Sequence, residues 1–197
     1  RNQPTLALKN YTAQAHATRD IAVTERAANI AAFLRDMPAL AELSSLWVQL
    51  QPQNLRAREL AALSLSHTGQ HIEAFQHAKY LLERDNDQSM VVLADYSQNS
   101  STATRQELLE LLETLSDTQP DNFNLALARV IVMQSLQQTD QALAVALDAD
   151  KSEDNERLSS LIAQLHMDKN DLPAALESLQ QALDSQPASR ALRLEYA

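Results

Sequence analysis

One glycine in 197 residues, Gly69, is the feature that most restricts this chain. Hairpin turns between β-strands need residues that accept positive φ, and glycine supplies most of them. A chain with a single glycine cannot close many such turns, so all-β and α/β folds are disfavoured. Glycine-rich phosphate loops are excluded for the same reason. An all-α fold is what remains. No run of about 18 apolar residues is present, so no transmembrane helix is expected.

The second constraint is self-similarity. Pro52, Pro120 and Pro187 stand 68 and 67 residues apart, twice 34 and one less. Asp36-Met37-Pro38-Ala39 recurs 135 residues later as Asp171-Leu172-Pro173-Ala174, and the offset carries on to Gln51-Pro52 and Gln186-Pro187. In this phase the units run 21–54, 55–88, 89–122, 123–155 and 156–189. Partial units fall at 1–20 and 190–197, and the whole chain 1–197 reads as a single array. Each unit predicts two helices. In 55–88 the first helix should end near His67, with Gly69 releasing the chain. Ala74, Ala78 and Leu81 or Leu82 then form one stripe of the second helix. Ala142, Ala146 and Ala149 repeat that stripe, as do Ala175, Leu179 and Ala182. Small residues there let neighbouring helices approach closely. Trp47 occupies the place of Ala149 and Ala182 and is expected to pack in the core. Unit 89–122 is the most degenerate: Ser97–Thr102 predicts a long loop, with Thr104 capping the next helix.

The 34-residue helix–turn–helix spacing resembles the tetratricopeptide repeat. The resemblance implies a right-handed superhelical solenoid of about five helical hairpins. Departures are visible. The first-helix aromatic is usually missing, Asn86 replaces a closing proline, and residues 148–154 read as a solvated acidic connector.

Catalytic constellations are scarce. The histidines are His16, His67, His71, His77 and His166. His67 and His71 have a metal-ligand spacing, but Gly69 separates them at the turn and neither a third ligand nor HExxH is present. The carboxylates Glu107, Glu110 and Glu113, or Glu153, Asp154 and Glu156, read as solvated faces rather than a pair across a cleft. Without cysteine there is no disulfide, thiolate site or cysteine nucleophile. No enzyme, metal or cofactor is therefore expected. A formal charge of −10 and four scattered lysines (Lys9, Lys79, Lys151, Lys169) argue against nucleic acid and against a polybasic membrane patch.

Protein binding is the better prospect. In such an array the first helix of each unit lines the concave surface. Positions 2, 5, 9, 12 and 13 of the units give Glu25, Asn29 and Phe33; Arg56, Glu59, Leu63 and His67; Asn124, Leu127, Ile131 and Gln134; and Arg157, Ser160, Gln164 and Met167. This mixture suits an extended peptide or a partner helix. A carboxylate clamp is not expected, because Arg56 and Arg157 lie three units apart and no lysine joins them.

The N-terminal run from Ala7, Leu8 and Tyr11 through Thr18-Arg19-Asp20 to Glu25-Arg26-Ala27 is similar to large tetratricopeptide-repeat lipoproteins of Gram-negative bacteria. LWVQLQPQNLRARELAA and LADYSQNSSTATRQELLELL follow in the same order. Arg19, Asp20, Glu25 and Arg26 also have a plain reading as a helix start with local ion pairs. The resemblance implies a periplasmic adaptor, anchored to the outer membrane by a lipid upstream of this fragment. Such an adaptor would hold a carboxyl-terminal processing protease and its peptidoglycan-hydrolase substrates. The alternatives are a general envelope assembly scaffold, serving a pilus, secretion or cell-wall complex, and, from another class, a helical hydrolase.

Overall fold

Side-chain caps recur near the period of the sequence repeat, and they mark where the first helices of four units begin. The computed structural model describes residues 3–150 and 155–196. Twelve helices and no strand occur among them: α1 Gln3–Thr18, α2 Ile21–Leu34, α3 Met37–Leu50, α4 Leu55–His67, α5 His71–Leu82, α6 Gln88–Ser97, α7 Thr102–Ser116, α8 Phe123–Ser135, α9 Thr139–Ala149, α10 Glu156–Asp168, α11 Leu172–Ser185 and α12 Arg190–Tyr196. They group into two compact units, Arg1–Ser97 and Gln98–Ala197.

First helices start on a short polar side chain. Asp20, Asn54, Asn122 and Asn155 cap α2, α4, α8 and α10. Their side-chain oxygens accept from the backbone N–H of Val23, Ala57, Leu125 and Leu158 at 2.9, 3.0, 2.8 and 3.3 Å. Each satisfies a donor that the first helical turn leaves unpaired, an effect of about 1 kcal/mol.

The hairpin turns are alike in geometry although their residues differ. Arg35, Gly69, Gln137 and Asn170 all adopt left-handed φ, at 56°, 85°, 60° and 60°. The next residue in each case donates its N–H back to the carbonyl five positions earlier. These bonds join Asp36 to Ala31, Gln70 to Leu65, Gln138 to Met133 and Asp171 to His166, at 3.0, 2.8, 3.0 and 2.9 Å. This is the Schellman closure of a helix C-terminus. Only one of the four turns uses glycine, so the other three carry the cost of an L-residue in the left-handed region.

The two Asp-x-Pro-Ala segments fold identically. Asp36 and Asp171 cap α3 and α11, accepting from Ala39 and Ala174 at 3.2 and 3.1 Å, with a proline in the first turn of each helix. Proline is pre-organised there and its missing N–H costs nothing. At the far end Gln51 and Gln186 close both helices with N–H bonds of 2.8 Å to Trp47 and Ala182.

The degenerate unit differs locally. Four residues, 98–101, separate α6 from α7, against two or three in the other hairpins. The cap of α7 is Ser101 rather than Thr104. Ser101 Oγ accepts from the Thr104 N–H at 3.1 Å, so Thr104 is the residue being capped. Asn86, in place of a closing proline, donates from Nδ2 to Glu59 Oε1 at 2.8 Å and ties the end of its unit to α4. Proline could not make the backbone N–H bond that Asn86 also gives to the Leu81 carbonyl, at 3.1 Å. Of the acidic connector, Lys151–Asp154 lies outside the described residues, including Glu153 and Asp154.

The core is built as the small-residue stripes predict. Ala74, Ala78, Ala142, Ala146 and Ala175 are buried. Ala149 is only half-buried. In the first unit Trp47 is enclosed with Leu40, Leu43, Leu46, Ala57 and Leu60. Its indole N–H donates to Gln51 Oε1 at 2.8 Å, which satisfies the one polar atom the ring brings into the core.

Trp47→Ala should therefore cost about 3–5 kcal/mol in chemical denaturation, the usual range for deleting a buried aromatic. Gly69→Ala should cost about 1 kcal/mol on backbone conformation alone, since a Cβ at Gly69 meets nothing within 4 Å. In the same melts Gln137→Gly should gain about 0.5–1 kcal/mol, the relieved strain less the added freedom of the unfolded chain.

Candidate protein-binding surfaces

The predicted lining residues divide sharply by burial. On α2, Asn29 and Phe33 are exposed one turn apart, and Phe33 is 79% exposed. Together with Arg26 and Ile30 of the same helix and Gln3, Pro4 and Ala7 of α1 they line a cleft of about 430 Å³. An exposed phenylalanine thus stands beside a cation and an amide at the rim of this cleft. Glu25 is exposed on the same helix but does not line this cleft. Reading α1 as the tail of an earlier unit left its side of the cleft, Pro4 and Ala7, unassigned.

On α4 the predicted residues do other things. Arg56 and Glu59 pair with each other at 3.3 Å, and Glu59 also accepts from Asn86. Leu63 is half-buried. His67 is exposed, packs its ring at 5.1 Å from Tyr96, and lines a separate cleft of about 640 Å³ with Glu42, Ser45 and Glu73. Glu42 also meets His16 Nε2 at 2.7 Å.

The second unit corrects part of the expected surface. Leu127 and Ile131 are 3% and 2% exposed, so they are core side chains and cannot meet a ligand. The cause lies in α8 itself. Leu125, Leu127, Ala128, Val130, Ile131, Val132 and Met133 are all buried, so the helix turns apolar side chains to the core around most of its circumference. Asn124 and Gln134 flank this core half-buried. On α10, Arg157 and Met167 are exposed, while Ser160 and Gln164 are half-buried.

Two of the histidines, His71 and His77, are buried on α5. His71 is buried, and His67 four residues earlier is exposed. Among the described residues, no group of three or more histidine or acidic side chains is placed to hold a metal ion. No helix of the described residues is long and apolar enough to cross a membrane. His77 is buried on α5 with Nδ1 facing Arg58 Nη1 at 3.4 Å. Arginine can only donate, so Nδ1 accepts and the imidazole is neutral. The Arg58 guanidinium also lies 3.6 Å above the Tyr80 ring, and Arg84 lies 3.5 Å from the same ring centroid. Burial first, and the Arg58 charge second, push His77 from 6.5 down to about 4. Burial lowers His71 in the same direction.

The folded chain therefore resists protonation at His77 while the unfolded chain takes up the proton near its ordinary pKa. Stability from this site is fully present above pH 6.5 and is lost as pH falls from 6.5 towards 4. His77→Gln, which keeps an acceptor for Arg58, should flatten the pH dependence of unfolding across that window. An unchanged slope in urea melts would remove His77 as its source.

No family model matches the chain. It is 31% identical over 198 residues to the TPR repeat-containing protein PA4667 of Pseudomonas aeruginosa. That alignment takes in all of this chain and spans about a third of the relative's length, 33%. Among solved structures it is similar to TTC0263, a thermophilic TPR protein of Thermus thermophilus, with a TM-score of 0.58 and 22% identity over 90% of this chain and 97% of that one. YrrB, described as a TPR protein with an unusual peptide-binding site, superposes with a TM-score of 0.53 and 14% identity, covering 94% of this chain and 96% of that one. Capped helical hairpins at a 34-residue period, together with these likenesses, give the chain the tetratricopeptide-repeat fold.

Proposed function

We propose that this chain is a non-enzymatic protein-binding scaffold whose first unit takes a partner segment in the cleft between α1 and α2. The observation that carries this reading is Phe33, 79% exposed at the rim of that cleft. A large aromatic kept in water gains from burial only when another molecule covers it. Arg26 and Asn29 beside it supply donors for a peptide backbone or an acidic side chain.

At the finer level we read the partner as a periplasmic carboxyl-terminal processing protease, with its cell-wall hydrolase substrates held on the same parent protein. Support comes from the N-terminal resemblance around Thr18-Arg19-Asp20 and from the alignment with a bacterial TPR protein about three times as long. In this reading the full-length protein sits in the periplasm, tethered to the outer membrane by a lipid outside these residues. Holding enzyme and substrate together raises their effective concentration without any chemistry by the scaffold.

Affinity capture from envelope extract, with mild crosslinking and mass spectrometry, tests both levels. The chain should enrich a processing protease together with peptidoglycan hydrolases. Pilus or secretion components in their place would favour a general assembly scaffold, and capture of nothing would contradict the scaffold reading. Phe33→Ala should leave stability within about 0.5 kcal/mol, because the side chain is exposed. It should weaken partner binding by about tenfold or more, as loss of an interface anchor does.

A further inference from the structure

Where the second helix of one hairpin meets the first helix of the next, the two form a groove, and the preceding first helix fills it. Thus α4 lies against both α5 and α6, α8 against both α9 and α10, and α10 against both α11 and α12. In the register of the repeat α1 takes a second-helix place and α2 a first-helix place, and the two pack together. Among the described residues no first helix precedes them. Their groove stands open as the cleft that Pro4, Ala7, Arg26, Asn29, Ile30 and Phe33 line.

The side chains facing this groove depart from the rest of the array. Leu60, Ala94, Ala128 and Leu161 hold the sixth place of their units, where α2 carries Arg26. Leu60, Ala94 and Ala128 are buried, as is Ser97 at the place of Asn29, whereas Arg26 and Asn29 are exposed. Among the described residues the Arg26 guanidinium makes no ion pair or hydrogen bond. Covering a cation without an acceptor is costly, so a helix bringing only apolar side chains does not suit this groove. Ile30 and Phe33 stand one and two turns further along α2, about 6 and about 10 Å from Arg26 by helix rise.

We propose that the α1–α2 cleft docks an amphipathic helix of a partner protein, lying where a first helix lies in the later hairpins. It sets a carboxylate on Arg26 and aliphatic side chains, four and seven residues later, against Ile30 and Phe33. The equivalent grooves select a helix over an extended segment, and Arg26 selects its charge. This docking mode deepens the scaffold reading and rests on it.

The probes are capped, alanine-rich helices of about 16 residues, long enough to form in water, that carry Glu with Leu four and seven positions later. Three twins replace Glu by Gln, replace Glu by Lys, or place a proline in mid-helix. Fluorescence anisotropy with the whole chain should show saturable binding of the Glu helix, about fivefold or more tighter than its Gln twin. The proline twin should bind about tenfold or more weakly. Arg26→Glu changes an exposed side chain and should leave the fold intact while reversing the preference, so that the Lys twin binds best. No saturable binding, parity of the Gln twin, an undiminished proline twin, or an unchanged preference in Arg26→Glu would overturn the docked helix. So would binding to this chain but not to the full-length protein, which would mean that protein's own chain fills the groove. Any of these results beside Phe33-dependent envelope capture removes the docked helix and leaves the scaffold reading standing; absence of capture is what would remove the latter.

Discussion

The structure depends on one backbone device repeated through the chain. A left-handed residue lets the following N–H reach back five positions, closing the first helix of a hairpin and turning the chain into the second. It recurs at Arg35, Gly69, Gln137 and Asn170, at intervals of 34, 68 and 33 residues. Because the closure is made by backbone atoms, side chains at these positions can drift so long as the free energy of the left-handed region is tolerated. The alanine stripes have meaning only once this geometry is fixed. Ala74, Ala78, Ala142 and Ala146 vanish from the surface because the turns set the helix spacing that their size permits.

Where the device is missing, the repeat loosens. No left-handed residue closes the connection between α6 and α7, which is longer than its counterparts, and the boundary between the two compact units falls there. A side-chain cap, Ser101, starts the next helix on its own.

The fold was legible because capping chemistry and proline placement are local. Asp36-Met37-Pro38-Ala39 and Asp171-Leu172-Pro173-Ala174 show their helix starts in the residues themselves. Gln137 shows nothing of its left-handed turn, since only the hydrogen bond from Gln138 to Met133 reveals it. The binding surfaces were less legible for a related reason. Position within a repeat says which side of a helix a residue takes, but not how many neighbours enclose that helix. Glu25 and Asn29 stand exposed on α2; Leu127 and Ile131 take the equivalent places on α8 and are core.

The central functional claim is that an exposed aromatic cleft on the first hairpins receives another protein. Hydrogen–deuterium exchange on the chain, alone and with the partner recovered by envelope capture, tests it most directly. The account predicts slowed exchange confined in the first unit to the segments 3–10 and 26–35, which carry the α1–α2 cleft. Unchanged exchange in those segments beside protection elsewhere in the unit, at the His67 cleft for example, would contradict it.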